Sequence, residues 1–365
     1  MKTIVISGIN LFRGGTLKVM QDCIAALSAF AGEDYEIVAL VHDTALFPPY
    51  PNVRYIPYPR SRKSYLFRLY YEYIGFRRLS VRLQPCCWFS MHDTTPNVIA
   101  EKRIVYCHNP YPFFKPGVRG FFLQRNVFFL CLLSKYLYRI NIRKNDYVVV
   151  QQEWIRQAFK KMFAVNNIVV APPVTENGEI KRQGNQTTGR KKVFFYPATA
   201  ILQKNFEVIC RAAGILEKEG VDGFEVIITL QKTDNKYAKS IYETYRSLNT
   251  LRFVGFLPPE EVNGYYETSD CLLFPSKAET WGLPISEAKT YGKPVFLPNL
   301  PYARETVGKY DKVCFFDPDN AGQLAALMKR FIAETPIYDQ TEAVHYEQPT
   351  VYGWDELVRF LFGGV

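Results

Sequence analysis

Residues 271–291 read Cys271-Leu-Leu-Phe274-Pro-Ser-Lys-Ala-Glu279-Thr280-Trp-Gly282-Leu283-Pro284-Ile-Ser-Glu287-Ala-Lys-Thr-Tyr291. The apolar run Cys271–Phe274 has the length and composition of a buried strand. Pro284 suits the first turn of a helix, where its missing N–H removes no hydrogen bond. The stretch therefore predicts strand, loop, helix, with Glu279 in the loop and Glu287 about one turn into the helix. In an open parallel sheet, ligands bind beyond the carboxyl ends of the strands. Leu283 and its neighbours would present free backbone amides to a diphosphate there. One carboxylate beside such a site can accept two hydrogen bonds from a ribose diol, and the other can hold a sugar's hydroxyls.

Outward from this loop, short β-branched and aromatic runs alternate with helical patterns, the signature of βαβ units. In the first half the predicted strands are 3–7, 36–41, 53–56, 87–89, 103–107, 146–151 and 168–171, with a first crossover helix over 16–30. In the second half they are 193–196, 224–230, 251–254, 271–274, 294–297 and 313–316. Helices are expected at 205–218, 236–248, 260–268, 284–291 and 320–334. Between the two series, residues 172–190 are polar, rich in turn formers and without periodicity, which marks a linker. At 365 residues the chain is too long for one hydrophobic core. The expected fold class is α/β, with two Rossmann-like parallel-sheet lobes facing across a cleft. The N-terminal lobe takes residues 1–175 and the C-terminal lobe 190–348, and a last helix within 350–365 packs back on the first lobe.

Three further strand ends carry candidate chemistry. Gly8-Ile-Asn-Leu-Phe-Arg13-Gly14-Gly15-Thr16 follows the first strand and runs into a helix. Its paired glycines admit a close backbone approach, although a plain turn has the same sequence. It is not the Gly-x-Gly-x-x-Gly dinucleotide fingerprint, which removes the main support for a nicotinamide enzyme. His108-Asn-Pro-Tyr-Pro follows the strand ending at Cys107, and it is one of only four histidines; a structural histidine is the alternative there. Lys204 stands at the start of a helix after the strand 193–196. A cation is disfavoured there by up to about 1 kcal/mol unless a phosphate is bound beside it; otherwise it is a solvated surface lysine. Asp317-Pro-Asp319 has the spacing of an Asp-x-Asp metal motif, but Asp319 reads more simply as a helix N-cap, so no metal is expected.

Composition narrows the class. Hydrophobic residues make up 48% and charged residues 22%, which excludes a disordered or fibrous chain. The N-terminus reads as a strand without a secretory signal, so the sequon at Asn185 is expected to go unused. The apolar stretch 126–134 is about half the length of a membrane span. The eight cysteines include no Cys-x-x-Cys pair, arguing for a reducing, cytoplasmic setting. The net charge of +10 is uneven: residues 1–180 hold 23 Lys/Arg against 12 Asp/Glu, and residues 181–365 hold 22 against 23. Within the first half, residues 60–82 carry seven basic residues against the single acid Glu72, and residues 102–144 carry nine with no acid. Aromatic residues are interleaved among them. The segments suit a membrane interface with arginines on anionic headgroups. The alternatives are an ordinary core with a solvated basic face and, ranked last, nucleic acid.

Glu-x7-Glu set in Ser-x-x-Glu-Thr-Trp-Gly-Leu-Pro-x-Ser-Glu-Ala resembles the hallmark of glycosyltransferase family 4, retaining enzymes of the GT-B fold. The resemblance extends over about residues 193–330, through Phe253-Val-Gly-Phe-Leu-Pro-Pro-Glu-Glu-Val before the loop and Pro301-Tyr-Ala-Arg-Glu305-Thr-Val-Gly and Phe316-Asp317-Pro318 after it. In the first lobe it rests on Gly14-Gly15 and the His108 strand end. It implies a nucleotide-diphosphate sugar as co-substrate, bound by the C-terminal lobe, with no cofactor and no metal. It implies a glycan or polyprenyl-linked acceptor on the N-terminal lobe. Glu287 would hold the ribose, Lys204 the diphosphate and Glu279 the transferred sugar. Thr280, Gly282 and Leu283 would complete the donor site, and His108 would lie near the donor sugar and acceptor hydroxyl. The family pairs its lysine with an arginine five residues earlier; that position is Thr199, and Arg13 is the candidate substitute. The implied setting is bacterial capsule or lipopolysaccharide synthesis, at the inner face of the cytoplasmic membrane. The other classes are a non-catalytic GT-B protein that binds glycan or membrane, for which Thr199 argues, and a nucleotide-sugar epimerase.

Overall fold

The computed structural model describes residues 2–173 and 190–363. The first run of elements is β1 (Lys2–Ser7), α1 (Gly14–Ala31), β2 (Tyr35–Val41), β3 (Val53–Pro57), α2 (Tyr65–Tyr70), α3 (Phe76–Leu83), β4 (Cys87–Ser90) and β5 (Lys102–Cys107). Then come α4 (Val118–Leu123), α5 (Arg125–Arg139), β6 (Tyr147–Val150), α6 (Glu153–Phe163) and β7 (Ile168–Val170). The second series is β8 (Lys192–Tyr196), α7 (Phe206–Lys218), β9 (Phe224–Ile228), α8 (Lys236–Tyr245), β10 (Leu251–Phe253), α9 (Pro259–Thr268), β11 (Cys271–Leu273) and α10 (Leu283–Thr290). It ends with β12 (Val295–Pro298), α11 (Pro301–Val307), β13 (Val313–Phe316), α12 (Ala321–Ile332) and α13 (Gly353–Phe362). Every strand expected from sequence is present, within two residues of its expected bounds. The helices α2 to α6 and α11 were not anticipated.

The chain divides into two units, one of Met1–Asn109, Ser134–Val174 and Tyr346–Val365, the other of Pro110–Leu133 and Thr175–His345. Residues 174–189, with most of the expected linker and the sequon, lie outside the described residues.

The first unit is built on an all-parallel sheet in the order β3-β2-β1-β4-β5-β6-β7. Its strands are apolar on both faces: Ile4, Val5, Ile6, Val148, Val149 and Val150 are all fully buried. That pattern belongs to a sheet covered by helices on both sides. The strand order reverses between β1 and β4. One covering helix comes from far along the chain. Leu357, Val358, Leu361 and Phe362 of α13 enter the same core as Ile4, Ile24, Leu27 and Phe89. Lys102 donates from Nζ to the Leu361 carbonyl at 2.9 Å, closing the C-terminal end of α13. The segment leading into α13 is held by the buried Arg156, which donates to the carbonyls of Glu347 and Pro349.

The second unit carries a parallel sheet in the order β10-β9-β8-β11-β12-β13, reversing between β8 and β11. Residues 110–133, expected with the N-terminal lobe, group here instead. The reason is local: Gln124 at the end of α4 donates to the Ala200 carbonyl at 2.8 Å and accepts from the Leu202 amide at 2.9 Å. These two bonds tie α4 to the loop after β8. A single polar side chain makes this attachment, and no periodicity advertises it.

Candidate active site

In the second unit, β8 and β11 pair at the reversal point, so the loops that leave their carboxyl ends lie side by side. The β8 loop carries Thr199 and Lys204; the β11 loop carries Ser276, Glu279, Thr280 and Gly282. Several bonds join the two. The Lys277 amide donates to the Gln203 carbonyl at 2.7 Å, and the Ser276 hydroxyl lies 3.2 Å from the same carbonyl and 2.6 Å from Glu279 Oε1 within its own loop. Asn205, held at φ 55°, donates from Nδ2 to the carbonyls of Pro275 and Pro318. Lys204 Nζ makes an ion pair with Glu279 Oε1, both side chains being mostly buried. The ammonium also lies 5.6 Å from the Phe274 ring centre. The two residues expected to meet the diphosphate and the sugar are thus brought together. Thr199 is exposed, and its carbonyl accepts from the Ile201 amide at 2.8 Å.

Gly282 has φ 93°, a conformation that L side chains rarely adopt. A Cβ there would lie 3.2 Å from both the Phe274 ring and Ile285 Cδ1. The turn starts α10 at Leu283, with Pro284 in its first turn and the Ile285 amide donating to the Gly282 carbonyl at 2.9 Å, so the Leu283 amide heads the helix. Trp281 Nε1 donates to Ser286 Oγ at 3.0 Å, and Thr306 of α11 donates to the Trp281 carbonyl, fixing the loop from behind. Thr280 is buried and Leu283 exposed. Glu287 stands one turn into α10, where the Tyr266 hydroxyl donates to Oε2 at 2.7 Å. Burial pushes the Glu287 carboxyl above its ordinary range, against the pull of that bond. A half-buried carboxylate with one oxygen fixed leaves the other to accept from a diol.

Asp319 is not the N-cap. Asn320 caps α12, its Oδ1 accepting from the Gln323 amide at 2.9 Å. Asp319 pairs with Lys277, and its own amide donates to Asp317 Oδ1 at 2.9 Å. The two aspartates therefore form a turn with its own partners.

In the first unit, Gly14 takes φ 59° at the start of α1, and Gly15 follows it on the exposed side. Arg13 precedes them with extended backbone, its guanidinium 5.3 Å from the Phe12 ring centre. His108 is buried behind β5. Its amide and that of Asn109 both donate to Asp93 Oδ1, at 2.8 and 3.0 Å. Strands β1 and β5 flank β4, so these two loops stand about 10 Å apart along the sheet edge.

Sequence reasoning missed the residues between them. His92 and Asp93 leave the end of β4, at the reversal point itself. His92 is fully buried; its Nε2 lies 3.2 Å from Ser7 Oγ, and its Nδ1 lies 3.3 Å from Glu72 Oε1. Glu72, also fully buried, accepts from Arg68 Nε at 2.5 Å and from the Thr94 hydroxyl at 2.6 Å. Burial pushes the Glu72 carboxyl up, but the charges of Arg68 and His92, with the Thr94 bond, bring it below its ordinary value. Burial takes the His92 imidazole down to about 4, so it is neutral at pH 7. Asp93, at φ 69°, extends this network to the backbone of His108. The residues that follow β4 give His92 and Asp93 as a further strand end, while Glu72, from the turn 71–75, joins them only in the fold.

Residues 177–347 match the family model for glycosyl transferases group 1. The serotype-specific mannosyltransferase WbdA of Escherichia coli is 23% identical over 165 residues, 44% of this chain and 20% of that protein. The O-antigen chain mannosyltransferase B of Escherichia coli is 27% identical over 105 residues, 29% of this chain and 27% of that protein. The chain spans about a quarter or less of these curated relatives. Among solved structures, a sucrose-phosphate synthase from Thermosynechococcus elongatus superposes with TM-score 0.66 at 14% identity, covering 92% of this chain and 90% of that one. WaaG, a glycosyltransferase of lipopolysaccharide biosynthesis, superposes with TM-score 0.64 at 11% identity and 90% coverage of each. With the two parallel sheets, these likenesses show a GT-B architecture.

Proposed function

We propose that the protein is a retaining, metal-independent glycosyltransferase that moves a sugar from a nucleotide-diphosphate donor to a glycan or lipid-linked glycan. The observation that carries this reading is the joined pair of loops at the β8–β11 reversal point. It pairs Lys204 with Glu279 and carries Gly282, the start of α10 and Glu287 on the same loop and helix, groups suited to a diphosphate, a sugar and a ribose. In the reaction the bond between the sugar's anomeric carbon and the diphosphate oxygen breaks. The acceptor hydroxyl oxygen bonds that carbon on the same face, and its proton passes to a donor phosphate oxygen. Lys204 and the α10 amides meet the charge that develops on the leaving diphosphate. Glu279 exchanges Lys204 for sugar hydroxyls, and His108 is the residue of the first unit that this reading assigns to the acceptor hydroxyl. The family match over 177–347 supports the donor half of this reading. The names of the two Escherichia coli relatives support a place in surface polysaccharide synthesis and put mannose conjugates among the first donors to try.

The test is ligand-induced thermal stabilisation with UDP, GDP and a panel of their sugar conjugates. A hundredfold excess over Kd adds about 2.7 kcal/mol. One nucleotide should raise Tm in the parent protein and leave Glu287→Ala unmoved. Silence from the whole panel overturns the reading and favours a non-catalytic glycan- or membrane-binding protein, for which exposed Thr199 at the arginine position is the argument.

The acceptor side of the proposal includes an anionic membrane surface, on the inner face of the cytoplasmic membrane. Leu66, Tyr70 and Ile74 are exposed within the basic segment 60–82. Val118, Phe122, Leu132 and Tyr136 are exposed within 102–144. Large exposed apolar groups beside arginines fit an interface of lipid headgroups and acyl chains. No helix among the described residues is long and apolar enough to cross a membrane.

A further inference from the structure

A cavity of about 250 Å³ lies in the second unit between the segment 114–120, the start of α7 and the loop before α12. None of Lys204, Glu279 and Glu287 lines it. Lys115, Arg119, Arg211 and Lys277 do, together with two acids, Glu207 and Asp319. Both acids are engaged: Glu207 accepts from the Tyr237 hydroxyl, and Asp319 pairs with Lys277. Lys115, Arg119 and Arg211 are exposed and have no ion pair among the described residues, so three unpaired cations border one concavity. Four cations against two acids leave the wall net positive, which favours an anion in the cavity. Two of the three are arginines, whose planar forks match phosphate oxygens in pairs. The wall is also fixed in shape. Gly120 packs so closely that a Cβ would lie 3.0 Å from Leu202 and 3.1 Å from Pro116, and Gln124 clamps the same helix to the β8 loop. Outside the cavity mouth, Val118 and Phe122 of α4 are 78% and 69% exposed, an apolar pair at i, i+4 beside Arg119.

We infer that this cavity is a second phosphate site, separate from the nucleotide site, that takes a phosphate ester. As a subsite for the acceptor it rests on the glycosyltransferase reading; as a phosphate site it does not. Two sources share this chemistry, a soluble phosphate monoester and the headgroup of an anionic lipid whose chains would cover Val118 and Phe122.

The experiment measures binding without donor, at 0.15 M salt. One arm titrates glycerol 3-phosphate by calorimetry. The other floats the protein with phosphatidylcholine vesicles with and without phosphatidic acid. Arg119→Gln/Arg211→Gln is compared with Lys239→Gln/Arg246→Gln, which removes the same charge from exposed positions outside the cavity. Losing two charge-assisted contacts should weaken the responding probe at least tenfold in the cavity variant, with the control within twofold. Lys115→Gln should weaken it in the same direction and serves if the double variant does not fold. A response to glycerol 3-phosphate identifies a soluble ester; a response to phosphatidic acid vesicles alone identifies a lipid headgroup. If neither probe binds, or if both variants weaken equally, the inference is overturned. Retention of cavity binding in Glu287→Ala, whatever the nucleotide panel shows, separates this result from the glycosyltransferase reading.

Discussion

Glu287 is the residue where burial and the proposed binding role pull in opposite directions. Its folded-state pKa is raised by burial, so the folded protein holds the proton more tightly than the unfolded chain. Stability from this group is therefore greatest at acid pH and is lost as pH rises through the raised value. At neutral pH the ionised form carries the full desolvation penalty. Glu287→Gln keeps the shape and an acceptor for the Tyr266 hydroxyl while removing the charge. The ligand-free variant should melt a few degrees higher than the parent, the shift that about 1 kcal/mol produces in a domain of this size. It should also lose the nucleotide-induced shift. A lower Tm would show that the carboxylate is a stabilising group. Lys204 and Glu279 present a related conflict, since each already occupies the other. A donor must offer both new partners at once, a phosphate for the ammonium and hydroxyls for the carboxylate.

At the scale of elements, the network behind β4 sets an acid limit on the first unit. His92 titrates near 4 in the folded chain against an ordinary value of 6.5, so below 6.5 the unfolded chain takes a proton that the folded one refuses. Stability is full above pH 6.5 and falls as pH drops toward 4, by roughly 3 kcal/mol if the shift is fully expressed. Glu72, held below its ordinary value, loses its contribution in the same direction at lower pH. Denaturant unfolding at pH 7, 6, 5 and 4 should show this fall, and His92→Gln should flatten it; equal slopes would place the acid sensitivity elsewhere. The strands and their ends were legible in sequence because buried parallel strands are continuous runs of Val, Ile, Phe and Tyr bounded by turn formers. That pattern located Lys204, Glu279, Glu287 and His108 at sheet edges. The Glu72–His92–Asp93 network was not legible. Its members come from a π-helical turn and a strand end about twenty residues apart, and only the three-dimensional fold makes them neighbours. The cap at Asn320 rather than Asp319 is a one-residue question of φ and ψ, which composition does not decide.

At the scale of the whole molecule, charge is segregated along the chain, with the excess of Lys and Arg confined to residues 1–180. If the basic segments lie on a membrane, the protein should sediment with anionic liposomes at low salt and progressively less as salt rises. Charge reversal at Arg77, Arg78 and Arg82 should weaken that binding by roughly a hundredfold or more, since each basic residue near the surface contributes about 1 kcal/mol. Equal binding to anionic and neutral liposomes would remove the electrostatic part of the proposal.

The packing of α13 has a bearing on synthesis. Leu357, Leu361 and Phe362 complete the core begun by Ile4 and Leu27, yet the whole second unit is translated between them. The usual order, in which domains fold from the amino end as they emerge, is unavailable to this chain. The first-made unit must wait, with the α1 face uncovered, while the later-made unit gathers all its own strands and folds. A nascent chain arrested once residue 345 has cleared the exit tunnel, with α13 still inside it, should thus display a finished second unit beside an unfinished first one, and a chaperone that binds nascent apolar surface would find its target at the amino-terminal half.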